Sequence, residues 1–224
     1  MDAATVTCSV ALDIDGAVIE RAQDSARAHS QHILHMVEEV LAEAGVGLHA
    51  LDGIAASIGP GAFTGVRIGV AVAQGLAFGA GCPAVPVSTL EALALQALQG
   101  SAQAAMACLD ARMGEVYWGC FAADGPQGVV CVGAPRVEAP ERVQLPEGLA
   151  LTGIGRGFSA YPLLTALPGL DVPPQNALSL PRAREFARLG ALRLRQGGGV
   201  DPAQLQPVYL RDKVALTEAE RSGR

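Results

Sequence analysis

Lysine is almost absent: Lys213 is the single lysine among 16 basic residues, and every other cation is arginine. That removes most lysine chemistry, including the phosphate-loop and Schiff-base types. Charge of any kind is sparse, at 17% of residues, and the net charge of −6 is spread along the chain with no acidic tail. Such a balance gives no long-range attraction to nucleic acid, so contact with it would need a local basic patch or a basic partner. The five cysteines (Cys8, Cys82, Cys108, Cys120, Cys131) form no CxxC pair and no even framework. They read as small buried hydrophobes in a reducing compartment. The opening MDAATVTCSV has neither a basic start nor an apolar h-region, so no signal peptide is expected. The most apolar window, Val66 to Val87, is interrupted by Arg67, Gln74 and Pro83 and is read as no membrane span. A soluble, cytoplasmic protein is the expectation.

What is present is a chain of 224 residues, half of them hydrophobic, which can bury a core as one large domain or two lobes. Thr5 to Leu12 alternates as a strand, Asp15-Gly16 marks a hairpin, and Ala17 to Arg21 returns. The first strand lacks a leading apolar half, as though a few residues were absent or the start lay upstream. A helix over Ser30 to Ala44 carries Ile33, Val37, Val40 and Ala44 on one stripe, with Gly45 as its stop. Ile54 to Ser57 is a short strand, a long helix begins near Thr64, and Ala84 to Val87 is a further strand. Ser88-Thr89-Leu90-Glu91 is a capping box opening another helix.

The second half repeats this logic without sequence identity. Strands are expected at Ala104 to Asp110, Glu115 to Ala122 and Val129 to Val132. A proline-rich connection from Pro135 to Gly148, a strand at Leu149 to Thr152 and a glycine-rich loop at Gly153 to Gly157 come next. A helix over Pro181 to Gln196 precedes the closing PVYLRDKVAL. Two related α/β lobes with mixed sheets are implied, divided as residues 1–100 and 101–224, the tail packing back on the first lobe.

IGPGAFTGVRIGVAVAQGLAFG, Ile58 to Gly79, has the look of a phosphate loop but fails both nucleotide patterns. Val66 follows Gly65 where a Walker lysine belongs, and Thr64 replaces the third glycine of GxGxxG. What fits is a stripe at four-residue spacing: Gly61, Gly65, Gly69, Ala73, Ala77. It suits close approach of another helix or an internal helix–sheet contact equally well. His29, His32 and His35 could share one helix side, as a metal pair or as polar positions on an amphipathic helix. The Gly153–Gly157 loop can be an anion nest or a plain strand-to-helix turn. Arg184, Arg188 and Arg195 can be an RNA-facing strip or a solvated face. Asp110, Arg112 and Glu115 cluster at a turn with no histidine or activated nucleophile identifiable beside them.

GPGAFTGVRIGVAVAQGLA, then VSTLEALA, then DARMGEVYWG together resemble the TsaB (YeaZ) family, from Asp2 almost to PVYLRDKVA. The resemblance implies a two-lobed, actin-like and sugar-kinase-like (ASKHA) α/β fold with mixed sheets flanked by helices. It implies a subunit of the bacterial machinery that makes threonylcarbamoyladenosine beside the tRNA anticodon. There TsaC makes the threonylcarbamoyl-adenylate, the catalytic paralogue TsaD transfers it, and TsaE is an associated ATPase. TsaD-like proteins carry NHLEGH, whose histidines bind the metal; here the segment is STLEAL, with Thr89 and Leu93 at the histidine positions. The phosphate turn of the second lobe is replaced by DARMG, Asp110 to Gly114, and the turn at Asp2 to Thr7 lacks glycine. The implied role is a non-catalytic partner of TsaD with no cofactor or metal, contacting TsaE through the complex and tRNA only weakly or indirectly, and able to homodimerise when alone. The implied interface lies on the first-lobe helices, at Ile33, Met36, Val37, Val40, Phe63, Gly65, Arg67, Gly69 and Ala73. Rival readings are a small ATPase or sugar-kinase-like phosphotransferase, or a glycoprotease-type metallopeptidase.

Overall fold

The structure is a computed structural model that describes residues 1–24, 29–100, 102–125 and 128–211, with the backbone alone at 29–31. Strands β1 (Thr7–Ile14) and β2 (Ala17–Asp24) form an antiparallel hairpin. Its turn is Asp15-Gly16, both at positive φ (52° and 89°), the conformation that Asp-Gly supplies at least cost in a two-residue hairpin. Helix α1 (His29–Ala44) ends at Gly45, again at positive φ. A parallel unit follows, in which β3 (Ile54–Ser57) and β4 (Ala84–Val87) are joined by α2 (Phe63–Ala80). Gly81 closes α2 in the left-handed region, its N–H turned back onto the last carbonyls. Helix α3 (Thr89–Leu98) starts on the expected capping box: Ser88 Oγ accepts from Leu90 N–H and Glu91 accepts from Ser88 N–H at 2.9 Å.

The second lobe is one mixed sheet in the order β7-β6-β5-β8-β9. Its strands are β5 (Ala104–Arg112), β6 (Glu115–Asp124), β7 (Gly128–Glu138), β8 (Leu151–Ile154) and β9 (Leu170–Asp171), with α4 (Gly157–Ala160) after β8. β7 runs beyond Val132 to Glu138, so the proline-rich connection begins later than the composition suggests. The register shifts between Trp118 and Cys120, where Gly133 to Pro135 bulge out opposite Gly119. On an edge strand that bulge spares Pro135 the ladder hydrogen bond it cannot donate. The first strand likewise starts at Thr7, two residues later than its alternation implies, and β8 spans Leu151–Ile154 where Leu149 to Thr152 was expected.

Helix α5 (Ala183–Arg195) returns from the second lobe to pack on β1, β3 and β4. Leu189 and Phe186 bury there with Val85 and Val87. Gly190 admits the strand, since a Cβ on it would strike the Ala55 side chain. Four cysteines are buried as expected; Cys131, on the outer strand β7, is exposed. In the first lobe the β1–β2 and β3–β4 pairs are separate sheets, bridged by backbone hydrogen bonds of Met1 and Asp2.

Candidate functional site

Between the lobes lies a cleft of about 490 Å³. Its first-lobe wall is Ala4 to Val6 and the entry to α2; its second-lobe wall is Leu109 to Arg112 with Arg156 and Ser159. The β5–β6 turn that enters it is tied to itself. Asp110 accepts from the Arg112 backbone N–H at 2.8 Å, pairs with the Arg112 guanidinium at 3.1 Å, and accepts from Tyr161 at 3.5 Å. A phosphate arriving here would meet a carboxylate instead of a cradle of free N–H groups. Behind the first-lobe wall, Asp2 is wholly buried and accepts from the Ala4 N–H at 2.9 Å. Burial raises its carboxyl to about 6, despite that hydrogen bond.

The closing segment crosses the mouth of the cleft. Val208 N–H donates to the Ile58 carbonyl at 2.8 Å, and Arg67 Nε donates to Tyr209 Oη at 2.8 Å. The Arg67 guanidinium also stacks 3.7 Å from the centre of the Phe63 ring. Arg211 pairs with Glu115 and donates to the Ala111 carbonyl, clamping the tail to the second lobe. PVYLRD is visible in the sequence as a tail, but nothing local points it at residues some 142 positions away.

The two positions at which the resemblance sets Thr89 and Leu93 in place of histidines are core. Thr89 and Leu93 are both fully buried on α3. Thr89 Oγ1 lies 2.8 Å from Ser57 Oγ, which satisfies both hydroxyls without a ligand. Leu93 packs among Leu90, Ala107 and Ile154. Among the described residues no three His, Cys, Asp or Glu side chains are gathered to hold a metal. The side chain of His29 lies outside the described residues; His35 faces Glu39 at 3.3 Å on the solvent side of α1.

The glycine stripe turns inward. A Cβ on Gly61 or Gly65 would run into the carbonyl oxygens of Ala4 and Ala3, and one on Gly69 would come within 3.7 Å of the Ala3 side chain. Ala73 and Ala77 are fully buried. Small residues recur because the chain's own N-terminal segment crosses α2 there. Ile33, Met36, Val37 and Val40 are likewise in the first-lobe core. Seven of the nine expected interface residues are therefore inside this chain, and a larger side chain at Gly69 would press on Ala3, not on a partner. Phe63 and Arg67 are exposed but engaged with Tyr209. The outward stripe of α2 is instead Ala71, Gly75 and Phe78, with Phe78 83% exposed. On α1 the outward residues include Leu34 and Glu38. Spacing of three and four marks both faces of a helix equally, so the sequence could not separate them.

The glycine-rich loop is a strand-to-helix turn. Cβ atoms on Gly155 and Gly157 would collide with Cys108, which backs onto the loop. The arginine strip is not simply solvated along its length: Arg184 makes a 2.8 Å ion pair with Glu20, bracing α5 to β2.

Residues 20–219 match the family described as TsaD, tRNA N6-adenosine threonylcarbamoyltransferase. The tRNA threonylcarbamoyladenosine biosynthesis protein TsaB of Escherichia coli K12 is 38% identical over 221 residues, covering 96% of this chain and 94% of its own. Its counterpart in Haemophilus influenzae is 34% identical over 226 residues, covering 96% and 93%. A Pseudomonas aeruginosa crystal structure, described as an uncharacterized protein with similarity to peptidase YeaZ, superposes with a TM-score of 0.85 at 40% identity, over 94% of this chain and 97% of that one. The mixed α/β architecture is accordingly the two-lobed actin-like, sugar-kinase-like one. At this identity over nearly its whole length, the chain belongs to the TsaB (YeaZ) family of tRNA threonylcarbamoyladenosine biosynthesis proteins.

Proposed function

We propose that this chain is a non-catalytic subunit that pairs with a TsaD-family transferase through the outward faces of α2 and α1. The observation that carries the pairing surface is Phe78, 83% exposed on a helix stripe whose other members, Ala71 and Gly75, are too small to keep a second helix away. A large exposed aromatic beside small residues is a poor solvent face and a good anchor for a helical partner. Loss of catalysis is supported by Thr89 and Leu93 in the dry core and by the Asp110–Arg112 pair filling the phosphate turn. The peptidase reading finds no nucleophile–base pair or ligand set at the same positions. TsaE would be met through the complex, and at net charge −6 tRNA would be held mainly by the partner. A protein serving tRNA modification works in the cytoplasm. α2 is long and apolar enough to span a membrane by composition, but it connects β3 to β4 within the fold, with its inner stripe buried.

The test is reconstitution with TsaD, threonylcarbamoyl-adenylate and tRNA. Transfer is expected only when TsaD is present. Phe78→Glu should leave the melting temperature of the isolated chain unchanged and weaken TsaD binding by about tenfold or more, equivalent to about 1.4 kcal/mol. Unchanged affinity would remove α2's outer stripe from the interface.

A further inference from the structure

The lobes share a core on one side of the cleft and are tied across its mouth on the other. Leu90, Leu93 and Ala94 of α3 pack with Ala107, Phe121 and Ile154 of the second-lobe sheet, and Leu109 belongs both to this core and to the cleft wall. Across the mouth run four consecutive residues, Val208 to Arg211, that divide their contacts between the lobes. Val208 N–H donates to the Ile58 carbonyl at 2.8 Å, and Tyr209 Oη accepts from Arg67 at 2.8 Å with its ring 5.8 Å from that of Phe63. Leu210 leans on the shared core. Arg211 donates to the Ala111 carbonyl at 3.2 Å and the Arg112 carbonyl at 3.5 Å and pairs with Glu115.

The second-lobe end grips a costly piece of backbone. Arg112 and Met113 stand at φ 60° and 57°, in the left-handed region that long side chains rarely occupy, ahead of Gly114 at 77°. The register slips between Asp110 and Arg112, so Ala111 is the extra residue of a bulge. Such conformations persist where the surroundings over-determine them. Asp110 holds this one from inside, through the Arg112 N–H and guanidinium. Arg211 holds it from outside, its planar fork of donors matching two carbonyls and a carboxylate. That fork is only 16% exposed, so salt screens its ion pair less than a surface pair. The first-lobe end is as closely fitted. Phe63 and Arg67 lie in the opening turns of α2, and a Cβ on Gly59, itself at φ 96°, would come within 3.1 Å of the Val208 carbonyl.

We propose that Val208–Arg211 is a latch whose two ends fasten and release together, coupling the start of α2 to the β5–β6 turn across the cleft. Four extended residues reach about 14 Å at most, which leaves little slack for one end to loosen alone. Fastened, the latch holds the mouth at its present width and the turn in its left-handed form. Released, it deprives the turn of Arg211 and leaves the mouth to hinge on the shared core. Any group that draws Arg67 or Phe63 away from Tyr209 therefore loosens a turn that it does not touch.

The experiment measures backbone amide exchange in the full chain for the parent, Tyr209→Ala, Arg211→Ala and the double variant. Arg211→Ala should speed exchange of the Val208 N–H at least about tenfold, although the bonds of Arg211 lie in the second lobe. Tyr209→Ala should speed the Arg112 N–H by a similar factor, although Tyr209 is bonded to the first lobe. At either amide the double variant should be within about twofold of the faster single, because one release already frees both ends. Met106, in the middle of β5, should exchange as in the parent. Acceleration confined to the end that carries each substitution would overturn the proposal, as would effects that simply multiply in the double variant. If Met106 accelerates as well, Tyr209→Phe replaces Tyr209→Ala, since it keeps the ring beside Phe63 and removes only the acceptor for Arg67. Faster exchange at Arg112 in that variant supports the latch, and unchanged exchange there sinks it.

Discussion

Gly65 and Gly75 sit ten residues apart on the same helix and have opposite reasons to be glycine. At Gly65 the Ala3 carbonyl occupies the space of a β-carbon, whereas at Gly75 nothing lies within 4 Å. Gly65→Ala should therefore destabilise the isolated chain: overpacking costs about 1–3 kcal/mol, offset in part by a helix-propensity gain of about 1 kcal/mol. Gly75→Ala should gain that propensity term undiminished and raise the melting temperature by roughly 2–4 °C. If α2's outer face packs closely on TsaD, the same variant should bind TsaD less tightly while being the more stable protein. Calorimetric melting and a binding titration separate the two effects; a destabilised Gly75→Ala would mean that this face is not free. The sequence announces both glycines but cannot say what stands opposite them, because the partner of Gly65 is a segment some sixty residues away.

Elements were far more legible than their surroundings. The Asp15-Gly16 turn, the Gly45 stop and the Ser88–Glu91 capping box are local chemistry, so their signals sit within a few residues of their effects. The outward stripe of α2, the bulge in β7 and the Arg67–Tyr209 clasp are set by distant neighbours and were invisible or misassigned. The candidate site divides in the same way. Replacement of a ligand pair by Thr89 and Leu93 can be read from the motif. That the pair is now sealed core, with Thr89 bonded to Ser57, needs the packing. Reinstating histidines should therefore fail. Thr89→His with Leu93→His would bury two rings with little to bond, at about 1–3 kcal/mol for each unsatisfied group. The double variant should melt lower than the parent and show no threonylcarbamoyl transfer in the absence of TsaD. A stable variant with such activity would mean that catalysis is only two side chains away.

At the scale of the whole molecule, stability depends on a few ionisable groups that the α5 crossover and the N-terminal segment carry inside. Glu185, 1% exposed at the start of α5, has Gln99 as its hydrogen-bond donor at 3.2 Å, while its second oxygen has no partner. Burial, with Glu20 nearby as a lesser cause, raises its carboxyl to about 7 from 4.5. The folded state then holds this proton more tightly than the unfolded chain. Its contribution to stability is full below about 4.5, falls as pH rises toward 7, and stays low above that. Asp2 acts with the same sign between 3.8 and about 6. The Met1 amine has the opposite sign: lowered from 8.0 to about 6, it weakens the fold as pH falls through that window. Between pH 6 and 7 Glu185 and Met1 therefore oppose each other and mask one another's slope. Glu185→Gln keeps an acceptor for Gln99 and removes the buried charge. It should raise the melting temperature at pH 8 by a few degrees, at roughly 2–4 °C per kcal/mol, and change it little at pH 4.5. With the carboxyl gone, stability should climb from pH 6 to 8 as the amine loses its proton. Melting curves of both proteins across pH 4.5 to 8 read the outcome directly. A variant that gains equally at both ends of the range would show that Glu185 is not charged inside the folded protein, and that its cost comes from packing alone.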